Sequence, residues 1–227
     1  MADFKRIGYG DVLEDRWLLN AASLVSEEER QLNLVTCENV PEFIEARKKG
    51  LYVFRFFKSE DPYFVIIDDR IPTIELQSGQ TLPYFARCAN PHLFWISLLE
   101  KAFAKLHGRY FALDGGSTDE ALADMTGVPV ENCFIGSPDT MTDKGTLYNA
   151  LKAMCYNHTL VGCKIDYDML LTDVAERERM YARAKSKGLQ PHHMYSILDV
   201  RSVMIQDDQK GRQEVNLVRL QNPWNDA

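Results

Sequence analysis

The chain lacks an excess of positive charge. Its 227 residues carry 26 Lys and Arg against 33 Asp and Glu, a formal net charge of −7. Binding to nucleic acid relies on Lys and Arg to displace counterions from phosphates, and this balance argues against it. The same sign argues against docking on an anionic membrane surface. No run of about 18 apolar residues occurs, so no transmembrane helix is expected. The opening Met1-Ala2-Asp3-Phe4-Lys5 has neither the basic-then-apolar order of a secretory signal nor the Gly that N-myristoylation needs at position 2. Cysteines are few and odd in number: Cys37, Cys88, Cys133, Cys155 and Cys163. Scattered in this way they predict reduced thiols and a cytoplasmic protein, not a disulfide framework.

What is present is ordinary globular composition, 45% hydrophobic and 26% charged, which excludes disordered and collagen-like classes. The length suits one large domain or two small ones, with a core that needs no staple. Leu13–Glu28 predicts a helix, with Leu18, Ala21, Ala22 and Val25 on one apolar face and Glu14 and Asp15 at its start. Gly50–Phe57 and Tyr63–Ile67 are aromatic and β-branched and predict paired strands across a polar turn. Leu93–His107 is the strongest helical pattern and stops at Gly108. Asp114-Gly115-Gly116-Ser117 suits a hinge or a close backbone approach, and a helix follows from Thr118. Asp143–Tyr156 and Leu171–Lys187 are further helices, with Leu160–Ile165 a strand between them. His193–Val200 and Val215–Leu220 alternate and form a β-hairpin across Asp207–Gly211. The expected class is therefore α+β: a helical first half, 1–115, and a second half, 116–227, ending in antiparallel strands.

Three separated pieces draw attention together. Gly10–Leu19 opens the first helix, His193-Met-Tyr-Ser196 opens a strand, and Leu217-Val-Arg-Leu-Gln-Asn222-Pro-Trp224 closes one. A nucleophile at a helix N-terminus, a His on a strand and an Asn on the next strand is the Cys-His-Asn arrangement of papain-like enzymes. The helix end lowers a thiol's pKa, the His takes its proton, and the Asn fixes the tautomer. At these residues the chain resembles the calpain protease core, with its Gln-Gly-x-x-Gly-Asp-Cys-Trp, Gly-His-Ala-Tyr-Ser and Arg-x-Arg-Asn-Pro-Trp-Gly signatures. Val65–Pro72, Leu98–Gly108, Asp114–Ser117 and Leu160–Cys163 resemble further landmarks of that family in the same order. The resemblance implies a papain-like calpain core over nearly the whole chain. In that family more strands follow Asn-Pro-Trp, so the second half is expected to be truncated.

The departures bear on function. Aligned on Asp15 and Trp17, the nucleophile position holds Arg16, and the oxyanion-donating Gln falls on Gly10. Arg carries no nucleophile and stays protonated, and residues 10–20 contain no Cys, Ser or Thr to replace it. His193 and Asn222 keep the other two triad positions. The resemblance places Gly115, Gly116, Lys164, His192 and Trp224 along the substrate groove; Lys164 stands for a Ser, His192 for the Gly before the catalytic His, and Asn225 for the Gly after Trp224. Calcium in the first half of such a core needs acidic residues at the positions of Ile7 and Leu93, so that site is expected to be lost. No cofactor is expected. Cys155, His158 and Cys163 offer a weak zinc pattern, set against buried thiols and a loop His.

The implied function is a catalytically inactive calpain-like protein, a binding or scaffold protein holding a protein or peptide in the groove. Calpain-like proteins with degenerate triads are common in protozoa, kinetoplastids above all, where many are tied to the cytoskeleton. The alternatives are calcium-dependent cysteine endopeptidase activity retained through another thiol, such as Cys37, or a regulatory subunit of an active calpain-like peptidase.

Overall fold

The computed structural model describes residues 4–6, 13–88, 90–135, 144–168, 171–207 and 211–222. Ile7, Gly10, Trp224 and Asn225 lie outside them. The described chain forms two compact units, one up to Glu131 and the other Asn132–Asn222. Gly115 and Gly116 lie inside the first unit, because the helix that follows them packs on the first helix and on the strand Leu51–Lys58.

In the first unit, α1 (Arg16–Ser26) and α4 (Trp95–Leu106) supply half of the buried apolar residues. Leu18, Ala21, Ala22 and Val25 repeat at helical spacing and are fully buried, as are Ile96, Leu99 and Phe103 of α4. The apolar run after α1, with Glu29 before it, is a helix, α2 (Glu29–Val35), and α3 (Pro41–Arg47) starts on a proline, where the missing N–H is not needed. β2 (Leu51–Lys58) and β3 (Asp61–Asp68) pair as a hairpin from Leu51↔Asp68 to Lys58↔Asp61. Their turn is two residues, Ser59 and Glu60, both at positive φ, as the twist of a tight hairpin requires. Val53 and Phe54 are both buried although they point to opposite faces, because α2, α3, α4 and α5 (Thr118–Thr126) all pack on β2. Phe103 meets Phe56 and Trp17 edge-on, with ring centroids 5.2 and 5.8 Å apart.

The outer edge of β3 is covered by lysines of α4. Lys105 Nζ donates to Ile66 O at 2.7 Å, and Lys101 Nζ donates to Asp68 O at 3.0 Å and Arg70 O at 2.6 Å. Such cover blocks edge-to-edge pairing. β1 (Phe4–Arg6) pairs with β6 (Ala86–Cys88), and β4 (Thr73–Glu75) with β5 (Thr81–Pro83). β6 is tied to α4 by Ser97, whose hydroxyl donates to Ala86 O at 2.6 Å, and by the buried Glu100, which accepts from Ala86 N at 3.1 Å. These short pairs give no long alternating run in sequence.

The second unit is a three-stranded antiparallel sheet ordered β7 (Gly162–Lys164), β8 (Met194–Asp207), β9 (Gly211–Gln221), with α6 (Lys144–Tyr156) against β8. The hairpin is longer than its alternating core predicts, because the stretch from Ser202↔Asn216 to Asp207↔Gly211 stays paired. α7 (Val174–Lys185) is capped by Asp173, whose carboxylate accepts from Ala175 N at 2.8 Å. No helix of the described residues is long and apolar enough to cross a membrane.

Candidate functional site

On the first unit, the start of α1 is built against the Asp114–Gly116 segment. Asp15 caps the helix with its backbone, its carbonyl accepting from Leu18 N at 2.9 Å. Arg16 is the first helical residue and its side chain is exposed. Trp17 is buried, and its indole N–H donates to Leu113 O at 3.0 Å. Asp114 accepts from Glu14 N at 3.0 Å through its carboxylate, and Gly115 N donates to Glu14 O at 3.1 Å. Gly115 has φ +81, a conformation that favours glycine. A Cβ on Gly116 would lie 2.3 Å from the Trp17 ring, so this position admits no side chain where the ring now sits. The structure thus brings Arg16, Gly115 and Gly116 to one corner of this unit. The Asp114–Glu14 link was not foreseen; its only trace in sequence is an acidic residue beside paired glycines.

On the second unit, His193 immediately precedes β8 and Asn222 immediately follows β9, and the pairing of Ser196 with Gln221 brings the two together. His193 Nε2 lies 2.7 Å from Asn222 Oδ1. With the amide oxygen as acceptor, Nε2–H donates and Nδ1 is the basic nitrogen of the neutral ring. Tyr195 packs edge-on to His193 at 4.8 Å, and its buried hydroxyl accepts from Gln190 N at 2.9 Å, which fixes the loop that delivers the imidazole.

His192 takes a left-handed backbone, φ +58, a conformation uncommon for a residue other than glycine. Its amide donates to Ile165 O at 2.9 Å, and its ring lies against Tyr181, 4.9 Å between centroids. Its Nδ1 is 4.0 Å from Asp166 Oδ1 and its Nε2 3.7 Å from Asp168 Oδ2. Lys164 Nζ pairs with Asp166 at 3.1 Å and Arg177 Nε with Asp168 at 3.1 Å. Lys164 and His192, both expected along the groove from the sequence, therefore converge on one carboxylate, that of Asp166.

Among the described residues, Asp166, Asp168 and His192 are the set whose ligand atoms fall within 4.8 Å of one another. Both carboxylates already carry cationic partners, which opposes a divalent ion there. Among the described residues, Cys155, His158 and Cys163 form no such set. Leu93 is an exposed aliphatic residue ahead of α4 and offers no ligand oxygen from its side chain. Cys37 is buried, with Sγ directed at Leu34 O and Val35 O, and burial pushes its thiol up despite the nearby Arg55 and Arg47. Burial also pushes up the thiols of Cys155 and Cys163. A raised thiol is a poor nucleophile at neutral pH.

Comparison with known proteins finds a family model described as calpain family cysteine protease matching residues 5–227. Calpain-8 of Mus musculus is 34% identical over 225 residues, covering 99% of this chain and 28% of that protein. Calpain-A of Drosophila melanogaster is 33% identical over 214 residues, 93% of this chain and 23% of its own length. The calpain-type cysteine protease ADL1 of Oryza sativa subsp. japonica is 33% identical over 214 residues, 93% of this chain and 8% of its own length. The chain thus spans less than a third of each of these relatives.

Proposed function

The chain belongs to the calpain family of cysteine proteases, and from that premise we propose that it is a catalytically inactive member, one that holds a protein or peptide and does not cut it. The observation that carries this reading is Arg16, a guanidinium at the helix position where the family signature has its nucleophilic Cys. Peptide cleavage by this mechanism needs a thiolate to form the acyl-enzyme, with a His to take and return the proton and an Asn to fix that His. Here the chain keeps the His193–Asn222 pair, with Nε2 2.7 Å from Oδ1, and has Arg16 in place of the Cys. Loss of one member of such a set is nearly as damaging as loss of all of them. Gly10 at the oxyanion position removes the second source of transition-state stabilisation. The raised thiols of Cys37, Cys155 and Cys163 make poor substitutes.

On this reading the groove positions serve recognition on each unit by itself: Gly115 and Gly116 on the first, and Lys164, His192, His193 and Asn222 on the second. Ile7 and Leu93 leave the first-half calcium position without its carboxylates, so binding is calcium-independent there. The partner is a cytoplasmic protein, with the cytoskeleton the first place to look.

Turnover of a peptide and of casein, with and without Ca²⁺, tests the reading in the native chain and in Arg16→Cys combined with Gly10→Gln. We expect no turnover from the native chain, and a Ca²⁺-independent gain in the double variant shows that the His193–Asn222 pair still serves a thiol. Native turnover abolished by His193→Ala overturns the proposal and points to one of the other thiols.

A further inference from the structure

α4 runs into His107, whose ring stacks on Phe103 at 4.6 Å between centroids. Its buried Nε2 lies 3.6 Å from Asp124 Oδ2, beyond hydrogen-bond length. The same carboxylate oxygen is bonded by Lys58 Nζ from the end of β2. Lys58 also lies 3.8 Å from Glu120 Oε1, one turn earlier on α5. The Asp124 side chain is only 9% exposed. One buried oxygen thus faces two basic groups from two different elements. Lys58 is a cation throughout the neutral range, whereas His107 changes charge near it.

We propose that this cluster is a proton-sensitive joint between β2, α4 and α5: Lys58 alone holds Asp124 while His107 is neutral, and protonation of His107 leaves a buried imidazolium beside a carboxylate oxygen that Lys58 already occupies, which loosens the seam. The charged groups facing the imidazole are Lys58 from β2 and Glu120 and Asp124 from α5; α4 contributes the apolar Phe103 ring. Burial is the main force holding the ring neutral, Lys58 adds to it, and Asp124 and Glu120 oppose it. The sign follows from the proton balance. A histidine held below its ordinary 6.5 in the folded chain leaves stability unchanged well above that pH. As pH falls through 6.5 the unfolded chain takes the proton first, so stability drops until the folded ring is protonated as well.

The joint bears on the groove. α5 starts at Thr118, directly after the Gly115–Gly116 segment that packs on Trp17, and Ser117 caps it by accepting from Asp119 N. A loosened α5 therefore loosens that segment; this consequence rests on the reading of Gly115 and Gly116 under Proposed function, whereas the joint itself does not.

The experiment follows the His107 ring proton by NMR in the full chain and in Lys58→Met. Thermal unfolding of the native chain and of His107→Asn is measured between about pH 7.5 and pH 5.5. We expect the native His107 to titrate below its ordinary 6.5 and Lys58→Met to move the midpoint upward as Asp124 passes to the imidazole. We also expect the native chain to lose more thermal stability on acidification than His107→Asn. A native midpoint at or above 6.5, a midpoint unmoved by Lys58→Met, or equal acid sensitivity in native and His107→Asn overturns the joint. Should Lys58→Met not fold, the native titration and the His107→Asn comparison still decide. Peptidase turnover in the native chain, which would end the reading of an inactive protein, leaves all of these results standing.

Discussion

In the first unit the side chains close over a dry core in which Leu18, Phe56, Ile96, Leu99 and Phe103 are all but inaccessible. In the second, the buried apolar residues among those described are Tyr181, Ala184, Tyr195 and Val200, while Val203, Met204, Ile205, Leu217, Val218 and Leu220 along the β8–β9 hairpin remain exposed. The first unit draws its order from burial, the second from strand pairing and polar contacts such as Tyr148 to Ser202 at 2.8 Å. Arg16 lies in the better packed of the two. Trp17, Gly116 and the Glu14–Asp114 bond hold its seat at the helix start in place.

Core truncation breaks or sharpens this comparison most strongly. Phe103→Ala removes a fully buried ring that touches Trp17, Phe56 and His107, and should destabilise by about 3–5 kcal/mol. Leu217→Ala, at a side chain half exposed on the hairpin, should change stability by no more than about 0.5 kcal/mol. Urea unfolding of both variants measures the contrast, and equal losses would end the claim that the units differ in what holds them. Gly116→Ala comes next. Its Cβ would meet the rigid Trp17 ring at 2.3 Å, and either ring or backbone must shift, at a cost of about 1–3 kcal/mol. Because the displaced group is an indole, its fluorescence should change with stability, whereas a flexible neighbour would leave it unaltered.

The two units also differ in how legible they were. The helices over Arg16–Ser26 and Trp95–Leu106 were plain in sequence because a one-sided apolar stripe at helical spacing is a direct consequence of packing on a core. The hairpin Asp61–Asp68 with Leu51–Lys58 was plain for its β-branched and aromatic content, but its turn was read too long: Ser59 and Glu60 are not residues that announce positive φ, and Pro62 lies in the strand. The strands Ala86–Cys88 and Thr73–Glu75 left no signal, since three residues are too few to show a period. At the site, His193 beside Asn222 was legible through the motifs on either strand. The convergence of Lys164 and His192 on Asp166 was not, because two separate loops must fold before those charges meet.

That charged corner provides the smallest expected effect. Lys164 has a side chain 49% exposed against 21% for Asp166, and water screens such a pair. Lys164→Ser should therefore shift stability by less than about 1 kcal/mol. The shift should shrink further in high salt, as expected for an ion pair at the surface and not for a buried one. Arg177 remains on Asp168, and His192 stays beside Asp166, so the carboxylates are not stranded by the change. If Lys164→Ser instead costs several kcal/mol and the loss persists in salt, the Asp166 corner is a structural keystone of the second unit. That unit would then be held by a buried charge network, and its contrast with the apolar first unit would be sharper than exposure alone indicates.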